Sequence, residues 1–142
     1  VPMHFTERTY GGKKRKVWEP LIHNLLFIRT SADKLRKIKA ATTLPIRYIM
    51  DRESKSPTVI PERQMRDFMA VVATQNEHVE IVAAQDVDLT QGDPVRVTEG
   101  IFAGIEGRYI RHKGHSKVAV AIRNVATALT AYIPLKYIAK ID

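Results

Sequence analysis

The chain has 142 residues, enough for one ordinary domain or two small ones, each able to bury a core. It contains no cysteine, which excludes disulfides, thiolate catalysis and zinc sites built from cysteine. The formal net charge is +8; residues 1–75 hold 15 Lys or Arg against 7 Asp or Glu, whereas residues 76–142 hold 8 of each. All of the excess charge lies in the first half, which predicts two modules with different partners, the basic one suited to nucleic acid.

Neither a membrane protein nor an enzyme is predicted. No apolar run approaches the roughly 18 residues needed to cross a bilayer, and Val1 opens no signal-peptide pattern. The five histidines are scattered, and the sequence holds no phosphate-binding loop, nucleophile elbow or zinc spacing. We therefore expect a soluble cytoplasmic protein with no catalysis, no cofactor, no metal and no membrane partner.

The first element predicted along the chain is an exposed hairpin tip. Gly11 and Gly12 stand together, as in tight turns, and four consecutive cations follow them. Four adjacent charges cannot be buried together. They predict either a nucleic-acid contact or a solvated loop that aids solubility. These cations are Lys13, Lys14, Arg15 and Lys16.

A strand followed by a basic helix is predicted next. The apolar run from Leu21 to Ile28 is short and follows a proline, which favours a strand buried on both faces. Ser31 can cap a helix that ends near Thr42 and turns Leu35 and Ile38 inward. The opposite face of this helix is basic and carries Lys34, Arg36, Lys37 and Lys39.

The clearest helix follows a second short strand, Ile46 to Met50. Pro61 fits the first turn of a helix, because the amide hydrogen that proline lacks is not needed there. The apolar residues that then recur at i, i+3, i+4 and i+7 are Met65, Phe68, Met69 and Val72. This amphipathic helix should run to about Gln75. The order of elements predicts an α+β sandwich, with helices packed on a sheet, over residues 1–75.

A linker and a small barrel are predicted in the rest of the chain. We expect residues 76–91 to form the linker, with a short ordered piece at Val79 to Val82. Gly92 to Gly107 combines strand-like alternation with three glycines in eight residues, which predicts a strand, a tight loop and a second strand. The alternation returns at residues 118–122 and 128–133, and this spacing of short strands is typical of a small closed barrel.

A family resemblance rests on Gly92-Asp93, Val95-Arg96-Val97, Gly100, Phe102, Gly104 and Gly107, followed by the strand Lys117 to Ile122. The segment resembles the KOW module, an SH3-like barrel of NusG-like transcription elongation factors and of some ribosomal proteins. The resemblance implies a partner surface in the loop between the first strands, at Ile101, Phe102 and Ile105. Its partner in housekeeping relatives is the termination factor Rho or a small-subunit ribosomal protein. We expect Phe102 to be exposed, because an aromatic ring at a glycine-rich tip is poorly placed for burial.

The first half carries a second resemblance in Pro20-Leu21-Ile22-His23-Asn24-Leu25-Leu26-Phe27-Ile28-Arg29 and in Tyr48-Ile49-Met50. These residues look like the NusG N-terminal (NGN) domain. The segments Leu44 to Asp51 and Val59 to Met65 are most similar to the UpxY-like antiterminators, which regulate long operons, typically for capsular polysaccharide. The chain is thus identified as a member of the NusG superfamily, with an NGN-like domain over residues 1–75, a linker over 76–91 and a KOW domain over 92–142.

The resemblance implies a mechanism without covalent chemistry. In this family the NGN domain binds the clamp helices of RNA polymerase and bridges the cleft over the DNA, which suppresses pausing and termination. The positions that match the contact segment are Ile22, His23, Asn24 and Leu25; the alternative is that the two apolar residues are core. The cations expected near upstream or non-template DNA, through sequence-independent phosphate attraction, are Lys13, Lys14, Arg15, Lys16, Lys34, Arg36 and Lys37.

Two features depart from the family pattern. Family members begin with a strand and a helix that precede the position of Val1, so we expect the domain to lack them through truncation, cleavage or disorder; a family branch with a shorter domain is the alternative. His23-Asn24-Leu25 replaces the Pro-Gly-Tyr of housekeeping NusG.

Some relatives also refold the C-terminal module into helices. The β-branched residues of Lys117 to Ile122 favour the barrel, whereas the neighbouring alanines leave the helical form open.

The other function open to this sequence is that of a ribosome-associated or RNA-binding KOW protein. That function predicts a basic, aromatic-bearing barrel surface, whereas the barrel half has no net charge. The aromatics of this half, Phe102, Tyr109, Tyr132 and Tyr137, lack surrounding cations in the sequence. The charge distribution therefore favours the transcription factor.

Overall fold

The computed structural model describes residues 3–20, 25–82, 92–122 and 125–141. The fold is α+β, with helices α1 (Ala32–Ala41) and α2 (Glu62–Ala73) and antiparallel strand pairs. The strands are β1 (Met3–Tyr10), β2 (Lys13–Pro20), β3 (Glu80–Val82), β4 (Pro94–Val97), β5 (Glu106–His112), β6 (His115–Ile122), β7 (Ala126–Leu129) and β8 (Ile138–Lys140). β1 and β2 form one sheet, and the C-terminal sheet has the order β3-β7-β6-β5-β4-β8.

The described residues divide into two compact units. Those between His23 and Val59 form one unit, and those between Pro2 and Ile22 join those from Ile60 to Asp142 in the other. This division differs from the expected boundary because α2 packs against β6 and β7. In addition, β3 lies inside the expected linker and pairs with β7. The second helix, which we expect in the N-terminal sandwich, therefore packs on the C-terminal sheet.

The hairpin predicted around the glycine pair is confirmed. β1 and β2 pair over their full lengths, and the last pair joins Tyr10 to Lys13. Gly11 and Gly12 have φ of 55° and 80°. Two successive residues with positive φ are what a two-residue turn needs to match the twist of the strands it connects. Side chains with a Cβ adopt this geometry at a cost, so the glycine pair fixes the position of the turn.

The unit between His23 and Val59 contains the predicted first helix. The hydroxyl of Ser31 accepts a hydrogen bond from the Lys34 amide at 3.3 Å, so the expected cap is confirmed. The two expected strands are not found among the described residues of this unit. Residues 25–28 have no regular structure, residues 21–24 lie outside the description, and Met50 makes a single bridge to Pro57. A strand needs a neighbour along its length, and a single bridge does not provide one.

The buried face of α2 differs from the expected stripe. Phe68 and Val71 are fully buried, whereas Met69, which the periodicity places inside, is 57% exposed. Asp67 is buried on the same side as Phe68. The face that meets β6 and β7 is thus rotated from the one expected, and it includes a carboxylate.

Strand β6 is buried on both faces, so its alternation does not mark an exposed side. Val118, Ala119 and Val120 are all buried, and α2 contacts this strand. β5 approaches β6 closely at Gly107, where an added Cβ would lie 2.4 Å from the carbonyl oxygen of Ala119. Burial of both faces explains why residues 118–122 of β6 are all apolar instead of alternating with polar residues.

Candidate functional site

Of the four residues expected to bind polymerase, the structure describes one, Leu25. Leu25 is half-buried, and Ile22, His23 and Asn24 lie outside the described residues. The unit that contains Leu25 exposes several large apolar side chains, namely Leu26, Ile28, Ile38, Leu44, Ile49, Met50 and Val59. Exposed apolar side chains provide the contact area for a protein partner where they adjoin one another in a patch.

The hairpin of β1 and β2 concentrates positive charge. Its 18 residues hold five Lys or Arg against two Glu, a net charge of +3. The register pairs Arg8 with Arg15 and Tyr10 with Lys13, which places these four on one face. The opposite face carries Lys14 and Lys16, whose strand partners are Thr9 and Glu7. The four expected cations are therefore together and exposed, but they divide between two faces.

An ion pair between Arg8 and Glu19 links β1 to β2 below the tip of the hairpin. Arg8 donates from Nη2 to Glu19 Oε2 at 2.8 Å and from Nε to the same oxygen at 3.1 Å. The hydrogen bond that Arg8 donates to Glu19, and then the negative charge of Glu19, raise the pKa of Arg8. Because this pair neutralises Arg8, the positive field of the face comes mainly from Lys13 and Arg15 at the tip.

The second expected set of cations lies on α1, in the other unit. Lys34, Arg36 and Lys37 are all exposed. Arg36 forms an ion pair with Asp33 one turn earlier, and Lys39 stands over the ring of Tyr48 at 4.3 Å from its centroid. Lys34 and Lys37 are thus the cations of this helix for which no intramolecular pair is found among the described residues.

The glycine loop, residues 98–105 between β4 and β5, presents one of its three expected partner residues. Ile101 is 65% exposed, but Phe102 is 4% exposed and Ile105 is also buried. The expected exposure of Phe102 is therefore wrong. The loop folds back on itself, because the Gly104 amide donates to the Val97 carbonyl at 2.8 Å and the Ile105 amide to the Phe102 carbonyl at 3.1 Å. Gly104 permits this path with φ of 88°.

Arg63 of α2 joins the helix to this loop, a contact that spans 41 residues of sequence and that no local pattern predicts. Its Nε donates to Asp67 Oδ2 at 2.9 Å, and its Nη2 donates to the carbonyl oxygen of Gly104 at 2.6 Å. Nη2 also lies 3.7 Å from Glu106 Oε1. The same oxygen accepts a hydrogen bond from Nε of Arg96 at 2.9 Å. The hydrogen bond from Arg96, aided by the charge of Arg63, lowers the pKa of Glu106. The spacing of Arg63 and Asp67, four apart on a helix, is the local signal for one of these contacts.

A second cluster gathers cations around Glu80 on β3. Lys117 Nζ and His112 Nε2 each lie 3.4 Å from its carboxylate oxygens, and Lys113 Nζ lies at 3.6 Å. Burial by itself would raise the pKa of Glu80, but the charges of Lys117 and Lys113 outweigh it, and the pKa is lowered. Since Lys117 is only 6% exposed, Glu80 supplies the counter-charge that its burial requires.

An open cleft lies beside the turn between β5 and β6. The residues that line it are Arg111, Gly114, His115, Ser116, Tyr132 and Leu135. Tyr132 is 59% exposed, and its ring meets that of His115 edge to face at 6.0 Å between centroids. The backbone holds this segment against β6, because the Ile133 amide donates to the Ser116 carbonyl at 2.9 Å. No carboxylate belongs to the lining.

Two kinds of feature are absent from the described part of the chain. No group of three or more His, Asp or Glu side chains there could hold a metal ion. Neither described helix has the length and apolar character to pass through a bilayer.

No protein-family model matches the chain, and it matches neither a curated protein nor a solved structure.

Proposed function

We propose that the chain is a NusG-like transcription elongation and antitermination factor, most similar to the UpxY-like antiterminators. In this proposal residues 1–75 are the NGN-like part that binds the clamp helices of RNA polymerase. Residues 92–142 are a KOW barrel that recruits a further partner. The protein acts in the cytoplasm without catalysis: it favours the elongating state of polymerase by binding that state more tightly than the paused one.

The observation that carries the proposal is the exposed basic hairpin. Lys13, Lys14, Arg15 and Lys16 extend from a two-stranded sheet with both faces of the tip open to solvent. A factor that travels with polymerase meets every sequence, so it needs phosphate attraction that does not depend on bases. The cations of α1 add a second surface of the same kind. Such surfaces suit upstream or non-template DNA near the polymerase cleft.

The C-terminal partner remains the termination factor Rho or a small-subunit ribosomal protein. Within the glycine loop, Ile101 is the residue through which such a contact is proposed, since Phe102 and Ile105 are buried. An exposed isoleucine beside glycines provides a small apolar contact on a protruding loop. Ile101→Asp should therefore weaken capture of either partner.

The test is single-round transcription through a pause site and a terminator, with the whole chain, its Leu25→Asp variant, or no factor. We expect read-through to rise with the unaltered chain and to return to the no-factor level with Leu25→Asp, because a charge at the contact segment opposes apolar docking. The matched control is Thr43→Asp, which introduces the same charge at an exposed polar position of the same unit. It should retain read-through.

A binding assay separates the two functions that we consider for this chain. The isolated clamp-helix fragment of polymerase should capture the whole chain and the Thr43→Asp variant, and should not capture Leu25→Asp. Equal read-through in all reactions, with no capture by the fragment, would refute the proposed function. It would leave the ribosome-associated or RNA-binding KOW protein.

A further inference from the structure

We propose that the outer edge of β2, the edge that faces away from β1, binds an extended acidic peptide segment of a protein partner. The segment pairs with β2 through backbone hydrogen bonds and meets the cations at residues 13–16 with its carboxylates. It thereby adds a third strand to the hairpin. The pairing is independent of the proposed function, whereas its consequence, competition with DNA for the same cations, rests on the proposed function.

The outer edge of β2 has no neighbouring strand among the described residues. The hairpin forms a two-stranded sheet of its own, and the two strands contact chiefly each other. Two strands alone are marginally stable in water, and a third strand stabilises them. An unpaired edge eight residues long is a template for such a strand.

The turn of the hairpin decides which backbone groups point to this edge. Tyr10 and Lys13 flank a two-residue turn, so they exchange hydrogen bonds with each other. Bonded and non-bonded pairs then alternate along an antiparallel ladder. Lys14 and Lys16 belong to the non-bonded pairs, so their amide and carbonyl groups point outward. An added strand can bond these groups in the way that peptides extend other sheets.

The side chains of β2 select an acidic strand. The cations at residues 13–16 are exposed, and no ion pair is found for them among the described residues. Because successive side chains of a strand alternate between its faces, a strand added here has cations beside it on both faces. Opposite charges on adjacent strands stabilise a sheet, so consecutive carboxylates suit this edge.

Other occupants of the edge are disfavoured. A second copy of the chain would bring two hairpins of net charge +3 side by side, and lysines on an edge oppose such pairing. Phosphates accept hydrogen bonds but donate none, so DNA leaves the outward carbonyl groups of Lys14 and Lys16 without a donor, whereas a peptide bonds both kinds of group. The outer edge of β1 suits an acidic strand less, because it carries Glu7.

The experiment uses a fluorescent peptide as long as β2, eight residues, and measures its binding to the whole chain by anisotropy. In antiparallel register the peptide has glutamates opposite residues 13–16 and alternating valine and threonine opposite residues 17–20. The matched peptide carries N-methyl groups on the alternate amides that face β2, so it keeps the charge and loses the hydrogen bonds. It should bind at least about tenfold more weakly.

Variants of the chain locate the site. Lys14→Gln with Lys16→Gln should weaken binding of the unmethylated peptide about fivefold. Arg52→Gln with Lys55→Gln removes the same charge from an exposed loop of the other unit and should leave binding unchanged. Hydrogen exchange gives a readout that charge alone does not move. The peptide should slow exchange of the Lys14 and Lys16 amides and leave that of Arg15, which is bonded to β1, nearly unchanged.

Several outcomes would overturn the pairing. They are equal affinity of the two peptides, equal affinity of the two double variants, and exchange of the Lys14 and Lys16 amides that the peptide does not slow. A dimer of the chain that the peptide dissociates would assign the edge to a second copy instead.

Titration of a short duplex DNA, with and without saturating peptide, separates this pairing from the proposed function. The peptide should displace the DNA, and simultaneous binding of both would contradict the competition. A chain that binds the peptide but no DNA retains the pairing and refutes the proposed DNA contact. A chain that binds DNA but not the peptide refutes the pairing alone.

Discussion

Arg63 donates a hydrogen bond to the carbonyl oxygen of Gly104, 2.6 Å away and 41 residues later in the chain. The bond joins α2 to the glycine loop, whose exposed residue Ile101 is the proposed contact for a C-terminal partner. The same guanidinium holds the buried carboxylate of Asp67, and these interactions raise the pKa of Arg63, chiefly through the hydrogen bond with Asp67. One side chain thus fixes both the helix and the path of the loop.

Replacing Arg63 by glutamine should lower the free energy of unfolding by about 1–3 kcal/mol, because Asp67 and the Gly104 carbonyl lose their donor. Arg63 is itself half-exposed, so water can replace part of the interaction and we expect the lower end of this range. Urea denaturation measures the change. Arg66→Gln, at an exposed position of the same helix, should stay within about 0.5 kcal/mol of the unaltered chain. Equal midpoints for the two variants would contradict the role of Arg63.

The cluster around Glu80 should make stability depend on pH in the acid range. The pKa of Glu80 is lowered from its ordinary value of 4.5, so the folded state favours the charged carboxylate. Its contribution is complete above pH 4.5 and is lost as the pH falls through the lowered folded value. The difference in unfolding free energy between the unaltered chain and Glu80→Gln should be largest near neutrality and vanish in acid.

This pH profile is measured by urea denaturation at intervals from neutral pH into the acid range. Glu99→Gln, at an exposed position, corrects for the general effect of losing one carboxylate. A difference between Glu80→Gln and the unaltered chain that stays constant with pH would show that the carboxylate of Glu80 gains nothing from Lys117, Lys113 and His112.

The two faces of the basic hairpin should contribute unequally to DNA binding. Lys13 and Arg15 share a face with Arg8 and Tyr10, whereas Lys16 stands opposite Glu7. The double variant Lys13→Gln with Arg15→Gln should reduce the slope of log affinity against log salt by about 1.8, since each phosphate contact contributes about 0.9.

The double variant Lys14→Gln with Lys16→Gln removes the same charge from the other face and serves as the matched control. Its slope should fall by less, because Glu7 already offsets Lys16. The measurement is titration of a short duplex DNA at several salt concentrations. Identical slopes for both double variants would show that the hairpin acts through its total charge alone.

The elements that follow from neighbouring residues were predictable here. The hairpin turn comes from Gly11 and Gly12, and the start of α1 comes from the Ser31 cap, each decided within a few residues. Phe102 could not be placed in this way, because its burial depends on a loop that folds back to Val97. The face of α2 that contacts β6 could not be predicted either, because Met69 fits the apolar period as well as Val71 does. Packing against the C-terminal sheet decides that Val71 is buried and Met69 is exposed.

Gly107 should tolerate no larger residue. A Cβ there would lie 2.4 Å from the Ala119 carbonyl oxygen, which is backbone and cannot rotate away, so Gly107→Ala must push β5 and β6 apart. We expect a loss of about 1–3 kcal/mol of unfolding free energy, the range for overpacking. Gly12→Ala is the comparison, since nothing lies within 4 Å of its added Cβ and only its positive φ is penalised. Thermal melting should show a clearly larger effect at Gly107.

The outermost strands of the C-terminal sheet, β3 and β8, are each three residues long. A strand of that length offers few free amide and carbonyl groups to a neighbouring molecule, and each of these two carries a charged side chain, Glu80 or Lys140. Stacking of copies edge to edge is thereby discouraged. The two short, charged edges thus protect the C-terminal sheet against growth into a fibril.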